Sequence, residues 1–363
     1  MILTRAPHIE FRTIKGSDIS ARLKRVKFKR MSISPECILL GDIGATNARF
    51  ALLANGVLSA VSSLKVAKFA RFADVVATFL KDHCREFRIK HALLAIAGPV
   101  KGERTFLTNC SWVIDARELR AAFNLEARIV NDFEAVALSL PWLTSTDSAG
   151  IGGGKPEVGA PKAVLGPGSG LGVACLICRS DKPVVVSSEG GHATLTATCE
   201  REDRIVGQLR QRFGHVSAER AVSGAGLENI YQAIALLDRL DVVPRSAAEI
   251  TKCALGGECE VACEALRAFC AFLGSFAGNI ALTFGALGGV YIAGGISPRI
   301  LDFLLRSEFR SRFEAKGRFR PYLEAVPSYV ITHPAAAFVG LKSLALQNQV
   351  SAPNGRRKVS GRP

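Results

Sequence analysis

The run "RIVNDFEAVAL", Arg128 to Leu138, sets two polar side chains, Asn131 and Asp132, between an apolar strand-like segment and the start of a helix-like one. In an α/β sheet the carboxyl ends of strands are where ligands lie. A helix N-terminus favours negative charge, so Asp132 is expected to remain ionised at neutral pH and to accept a proton from a hydroxyl. Taken alone, the same pair reads equally well as an Asx helix cap.

Two glycine turns come next. "CILLGDIGATNARFALLANG" (Cys37 to Gly56) and "AVLGPGSGLGVACLI" (Ala163 to Ile177) both read strand, turn, strand. A dinucleotide loop needs a helix after its glycines, and a Walker loop needs Gly-Lys-Ser/Thr after a strand, so both motifs fail on context. What remains is a pair of hairpin tips, Gly44, Ala45, Thr46 and Asn47 in one and Gly168, Ser169 and Gly170 in the other. Facing each other, such tips could hold a triphosphate, because small residues let the backbone approach phosphate oxygens. Asp42 would then serve the hydrated Mg²⁺ that accompanies ATP, a cation that prefers carboxylate oxygens. Either turn by itself is no more than a tight hairpin, with Asp42 bonded to its own turn.

A third group lies in "SSEGGHATL" (Ser187 to Leu195) and "GHVSAERAVSGAG" (Gly214 to Gly226). Glu189, His192 and Glu219 are hydrogen-bonding side chains beside glycines, as a polyol site requires, although a single His at a strand end is also ordinary structure.

The elements that must carry these groups alternate. "CILLGDIG" and "NARFALLA" read as strands, Phe72 to Phe87 as an amphipathic helix and "HALLAIAGPV" (His91 to Val100) as a buried strand. A short helix near Ala116 to Phe123, the strand "ARIV" and the helix Asp132 to Pro141 follow, the pattern of a mainly parallel sheet. Ser145 to Lys162 is Gly/Pro-rich and reads as an exposed connection, after which the strand, glycine turn and strand recur. The chain is then mostly helical up to "GGVYIAGGI", the strand "SYVITH" (Ser328 to His333) and a closing helix in "AAAFVGLKSLAL".

At 363 residues and 48% hydrophobic, the chain can build two cores of ordinary size. Few aromatics and many glycines suit α/β packing better than a base-stacking platform. Much of the net charge of +15 sits in "RLKRVKFKR" (Arg22 to Arg30) and "GRRKVSGRP" (Gly355 to Pro363), which read as solvated, disordered tails. The ten cysteines are scattered singly, as reduced thiols of a cytosolic protein are, and "CALGGECEVAC" lacks zinc-site spacing. The uncharged run from Ala268 to Pro298 is long enough to span a bilayer, but its glycines divide it into a buried helix, a turn and a strand. The N-terminus lacks an apolar signal-peptide core, so a cytoplasmic location is expected.

In order, "GDIGATNAR", "AIAGP", "TN" before Trp112, "NDF", "GPGSGLG", "EGGH", "GHVSAER", "SGAGLENIY", "GGVYIAGGISPR" and "FEAKGRF" run through the chain. From about Glu36 to Gln349 it thereby resembles bacterial glucokinases of the hexokinase, actin and Hsp70 superfamily. The resemblance implies a two-domain actin-like ATPase (ribonuclease H-like) α/β fold with an interdomain cleft. It places a small domain at 36–142 plus 334–349 and a large one at 143–333, flanked by basic tails at 1–35 and 350–363. It also implies ATP and Mg²⁺ as co-substrate and metal, and glucose in a cleft that closes on it. By that resemblance Asp132 is the base on the glucose 6-hydroxyl, while Asn131, Glu189, His192 and Glu219 hold other sugar hydroxyls. Gly41, Asp42, Ile43, Gly44, Ala45 and Thr46 form the first phosphate motif, with Asp42 on the metal side. Gly168, Ser169 and Gly170 belong to the second, and Gly294 and Gly295 to the adenosine motif.

Two departures stand out from the family pattern: Ala45 where Gly is usual, and "ATLTAT" after His192. A sugar-sensing DNA-binding regulator is the alternative suggested by the basic arm, which is too short for a helix-turn-helix module. A non-catalytic sugar-binding paralogue would not need all of the polar residues that are present. Membrane and nucleic-acid partners are disfavoured, and a homodimer is left open.

Overall fold

The computed structural model describes residues 37–83, 89–100, 102–107, 110–178 and 183–351. The basic segments, apart from the end of the last helix, and the Thr108–Asn109 pair lie outside the described residues.

The first half builds β1 (Cys37–Ile43), β2 (Asn47–Ala54), β3 (Val57–Leu58), β4 (Ser62–Lys65), α1 (Phe72–His83) and β5 (Ile89–Ile96). It continues with β6 (Arg104–Phe106), β7 (Val113–Asp115), α2 (Ala116–Phe123), β8 (Glu126–Asn131) and α3 (Asp132–Ser139). Next come β9 (Ser148–Gly152), β10 (Lys162–Pro167), β11 (Leu171–Ile177) and β12 (Val184–Ser188). The helical region comprises α4 (Glu200–Phe213), α5 (Gly224–Asp238), α6 (Ala247–Gly256) and α7 (Glu260–Phe284). After β13 (Val290–Ile292) come α8 (Leu301–Arg306), α9 (Phe309–Glu314), α10 (Arg320–Ala325), β14 (Ser328–Ile331) and α11 (Ala336–Ser351).

One sheet runs β3-β2-β1-β5-β8 with β4 also on β2, and a second runs β12-β11-β10-β13-β14-β9. The second repeats the plan of the first. In each, an antiparallel hairpin, β1/β2 or β10/β11, leads into two parallel strands, β5 and β8 or β13 and β14. The recurrence of strand, glycine turn and strand in the sequence is therefore a recurrence of architecture.

Side-chain alternation sorts the strands' residues into layers. Leu39, Ile43 and Phe50 face outward onto Phe72 and Phe79 of α1 and onto Trp112. Ile38, Leu40, Leu93 and Val130 face the other way, into a core shared with α3, with Phe338, Leu341 and Leu344 of α11, and with Val164, Ala174 and Leu176 of the second sheet. The far face of the second sheet, including Ala163 and Leu165, packs on the helices α4 to α10. Strands buried on both faces explain why β1, β5 and β10 read as nearly unbroken apolar runs.

The uncharged run is α7, a turn and β13, and α7 is the helix among the described residues long and apolar enough to cross a bilayer. It is the buried spine of the helical layer, with Phe269, Phe272 and Leu273 at 0% exposure.

Two expectations are corrected, and a third lies partly outside the described residues. Ser145–Lys162 is not wholly a connection, because β9 pairs antiparallel with β14 through backbone bonds and buries only Ile151, a pattern too weak to show in the side chains. Helix α1 is described to His83, and residues 84–87 of the helix expected to reach Phe87 lie outside the described residues. The helix begun at Asp132 ends at Ser139, and Leu140–Trp142 tightens into a 3₁₀ turn around Pro141.

Candidate active site

The strand register brings the polar ends together. Ile43 of β1 pairs with Ile96 of β5, and Ile96 pairs with Asn131 of β8, so the residues that follow, Gly44, Ala97 and Asp132, leave the sheet at one edge. In the second sheet Leu165 pairs with Ile292, and the turns after β10 and β13 meet there. Gly294 has φ of +85°, and a Cβ on it would stand 2.3 Å from the Pro167 carbonyl oxygen, so only glycine allows these two turns to touch.

A cavity of about 210 Å³ lies where these ends converge. Ala45 borders it from the first hairpin, and Asn131 and Asp132 from the β8–α3 junction. Gly168, Ser169, Gly170 and Gly294 reach it from the second sheet, with Glu189, His192 and Glu219 beyond them. The remaining expected residues, Gly41, Asp42, Ile43, Gly44, Thr46 and Gly295, do not line it.

Asn131 is the N-cap of α3. Its Oδ1 accepts from Phe133 N at 2.9 Å and Glu134 N at 3.2 Å, while its Nδ2 donates to the Gly98 carbonyl at 3.1 Å. The cap therefore belongs to Asn131, and the Asp132 carboxyl accepts from Phe133 N at 3.0 Å and from its own backbone N–H. Burial and then the neighbouring negative charge of Asp42 outweigh those backbone hydrogen bonds and push the Asp132 pKa up to about 7. The expectation that Asp132 stays ionised at neutral pH is corrected: desolvation wins over the helix terminus, and the group is poised near half ionisation.

Asp42 is buried and ion-paired with Arg49, and burial raises its pKa against the pull of that guanidinium. Arg49 Nη1 also donates to the Pro334 carbonyl at 3.2 Å, tying the first hairpin to the chain entering α11. Sequence reasoning passed over Arg49. Its signal was present, since Asp42 and Arg49 lie equidistant from the turn and directly opposite in the hairpin register.

Glu219 does two things. Its Oε2 accepts from Leu171 N at 2.9 Å, strapping the second hairpin. Its own segment is fastened to the turn that carries Glu189 and His192 by Ala218 N donating to the Ala193 carbonyl at 2.8 Å, and to the hairpin tip by Gly224 N donating to the Gly168 carbonyl at 2.9 Å. Glu189 and His192 face each other at 4.0 Å with both side chains more than half exposed.

Phe133 was also unforeseen as a contact. Its ring packs so closely on β11 that a Cβ on Gly172 would lie 1.9 Å from it, which fixes the start of α3, and with it Asp132, against the second hairpin. Leu107 lines the cavity as well; it directly precedes the "TN" pair before Trp112, which was read as a motif without a site role.

No group of three or more His, Cys, Asp or Glu side chains is arranged to hold a metal among the described residues.

A duplicated sheet unit, with each copy ending in a glycine hairpin at one acid-bearing cavity, defines the two-domain actin-like ATPase fold of the sugar kinases. Within that class the family model described as Glucokinase matches residues 39–348, and the chain belongs to this family. A glucokinase of Paramagnetospirillum magneticum is 46% identical over 312 residues, covering 85% of this chain and 97% of its own length. The Bifunctional protein glk of Paraburkholderia xenovorans is 44% identical over 316 residues; these are 86% of this chain but 49% of that protein, so the chain spans about half of it. The crystal structure of a glucokinase from an Antarctic psychrotroph matches with a TM-score of 0.73 at 36% identity, covering 86% of this chain and 99% of the other.

Proposed function

We propose that this protein transfers the γ-phosphoryl group of ATP to the 6-hydroxyl of glucose, giving glucose 6-phosphate and ADP, with Asp132 as the general base. The observation that carries the reading is a half-buried carboxyl poised near pH 7 at the point where both glycine hairpins and the polyol-type side chains meet.

Glucose lies with Asn131, Glu189, His192 and Glu219 on its other hydroxyls and its 6-hydroxyl toward Asp132. As the 6-oxygen attacks the γ-phosphorus, Asp132 takes its proton and the bond to the β,γ-bridging oxygen breaks, releasing ADP; the proton then passes to solvent. Phosphoryl transfer of this kind needs in-line positioning and charge neutralisation more than covalent help.

The hairpins fit a triphosphate: Gly168 faces open space, with nothing within 4 Å of where a Cβ would stand, and Gly44 meets only the Asn47 carbonyl at 3.7 Å. Gly294 and Gly295 sit on the nucleotide side. Mg²⁺ would neutralise phosphate charge there, and Asp42, ion-paired with Arg49 and behind the cavity lining, is the residue that would hold it. The reading divides the chain into a small domain of 36–142 plus 334–349 and a large one of 143–333, closing on glucose. It places the enzyme in the cytoplasm, where ATP is supplied.

A coupled assay of the purified protein with MgATP and a panel of hexoses tests this. Glucose is expected to give glucose 6-phosphate as the fastest product; a faster reaction with another hexose, or ATP hydrolysis without sugar phosphate, would overturn the substrate assignment.

A further inference from the structure

Well away from the hairpins, the end of α6, the second turn of α7 and the junction of α8 with α9 enclose another cavity, of about 500 Å³. That volume is within the ordinary range for small-molecule sites and exceeds that of the first cavity. Leu255 and Phe303 give it an apolar wall, and Leu255 is 48% exposed although it is a large aliphatic side chain.

Arg267 and Arg306 line it together. On neighbouring elements Arg201, Arg310, Arg312 and Arg320 all hold carboxylates, but among the described residues neither Arg267 nor Arg306 enters an ion pair. Arg306 donates only from Nε, to the Asp302 carbonyl at 3.0 Å, so its two Nη groups stay available. The carboxylate at the rim, Glu308, is taken by Arg312 Nε at 2.8 Å. Two guanidiniums without a counter-charge at one cavity make a receptor for a multivalent oxyanion, since the planar fork matches phosphate geometry.

The α6 end of the cavity has the reverse character. Helix α6 ends there on Gly257 in the left-handed region; Gly257 N bonds back to the Ala254 carbonyl at 3.3 Å and Glu258 N to the Cys253 carbonyl at 2.9 Å. Those bonds satisfy two of the terminal carbonyls and leave those of Leu255 and Gly256 as acceptors at the cavity. A helix C-terminus repels a bare anion, so the ligand must turn hydroxyl donors toward α6 and its anionic group toward the arginines.

We propose that this cavity binds a small phosphorylated polyol such as a sugar phosphate, with its phosphate on Arg267 and Arg306, its hydroxyls on the Leu255 and Gly256 carbonyls, and its apolar face on Leu255 and Phe303. The site is separate from the transferase cavity and does not depend on that reading.

Titration calorimetry of the full chain with glucose 6-phosphate tests it, using the wild type, the double variant Arg267→Gln/Arg306→Gln, and Leu255→Glu, which introduces a carboxylate at an exposed position. The expected result is a class of sites, one per chain, that weakens about 10-fold or more in both variants, by loss of charge-assisted hydrogen bonds in the first and by charge repulsion in the second, while turnover stays as in the wild type. Inorganic phosphate should bind the wild type about 10-fold more weakly than the sugar phosphate, because it lacks hydroxyls for α6. Absence of binding to the wild type, equal binding by all three proteins, or phosphate binding as tightly as the sugar phosphate would each overturn the proposal.

Discussion

At the scale of single residues, Asp132 concentrates the chemistry. Its position was legible in "NDF", because a polar pair between a buried strand and a helix start falls at the ligand edge of an α/β sheet. Its protonation was not legible, because desolvation depends on which walls close around the carboxyl, and those come from β5, β10 and β12 as well as from its own helix. With a pKa raised to about 7, the base is available only as pH rises through neutrality, so kcat/KM is expected to climb with pH to a plateau above about 7. Stability moves oppositely. A folded-state pKa above the unfolded value favours folding while the group is protonated, and that contribution is lost as pH rises through about 7. Asp132→Asn should therefore raise the melting temperature at pH 8 relative to wild type and change it less at pH 5. Melting curves at the two values check this, and an equal shift at both would remove burial of the charge as the cause of the raised pKa.

At the scale of elements, the two glycine hairpins were readable because each turn sits between apolar runs too short for helices. Their consequences for one another were not, since Phe133 is a helix residue whose ring is aimed at a glycine of a strand some forty positions away. Gly172 exists for that ring, and the overlap a methyl would create, at 1.9 Å, must be relieved by moving α3 or β11. Gly172→Ala is expected to cost about 1–3 kcal/mol in stability, the usual penalty for overpacking, and to lower kcat more than it raises KM for glucose. Phe133→Leu in the same chain should recover part of both losses. Additive effects in that double-mutant cycle would show that the ring and the strand do not position the base together. Edge strands were the other blind spot: β9 pairs with β14 while burying only Ile151, and β12, with Val184 and Val186 exposed, follows a segment outside the described residues.

At the scale of the whole molecule, the sequence carried the architecture because the chain states its plan twice: hairpin, parallel strand, parallel strand, in each sheet. Between the sheets, α3 and α11 form the layer that both copies share, so Asp132, at the first position of α3, sits where the two halves bear on one another. Arg49 adds a direct link, from the first hairpin's Asp42 to Pro334 at the entry to α11. The single measurement that tests the central claim most directly is the turnover number of Asp132→Asn with MgATP and glucose, read beside glucose affinity from calorimetry on the same sample. The account predicts a fall of about 10²–10⁴ in kcat with glucose binding retained within a few-fold, as removal of a positioned proton acceptor requires. Wild-type turnover in that variant would contradict it.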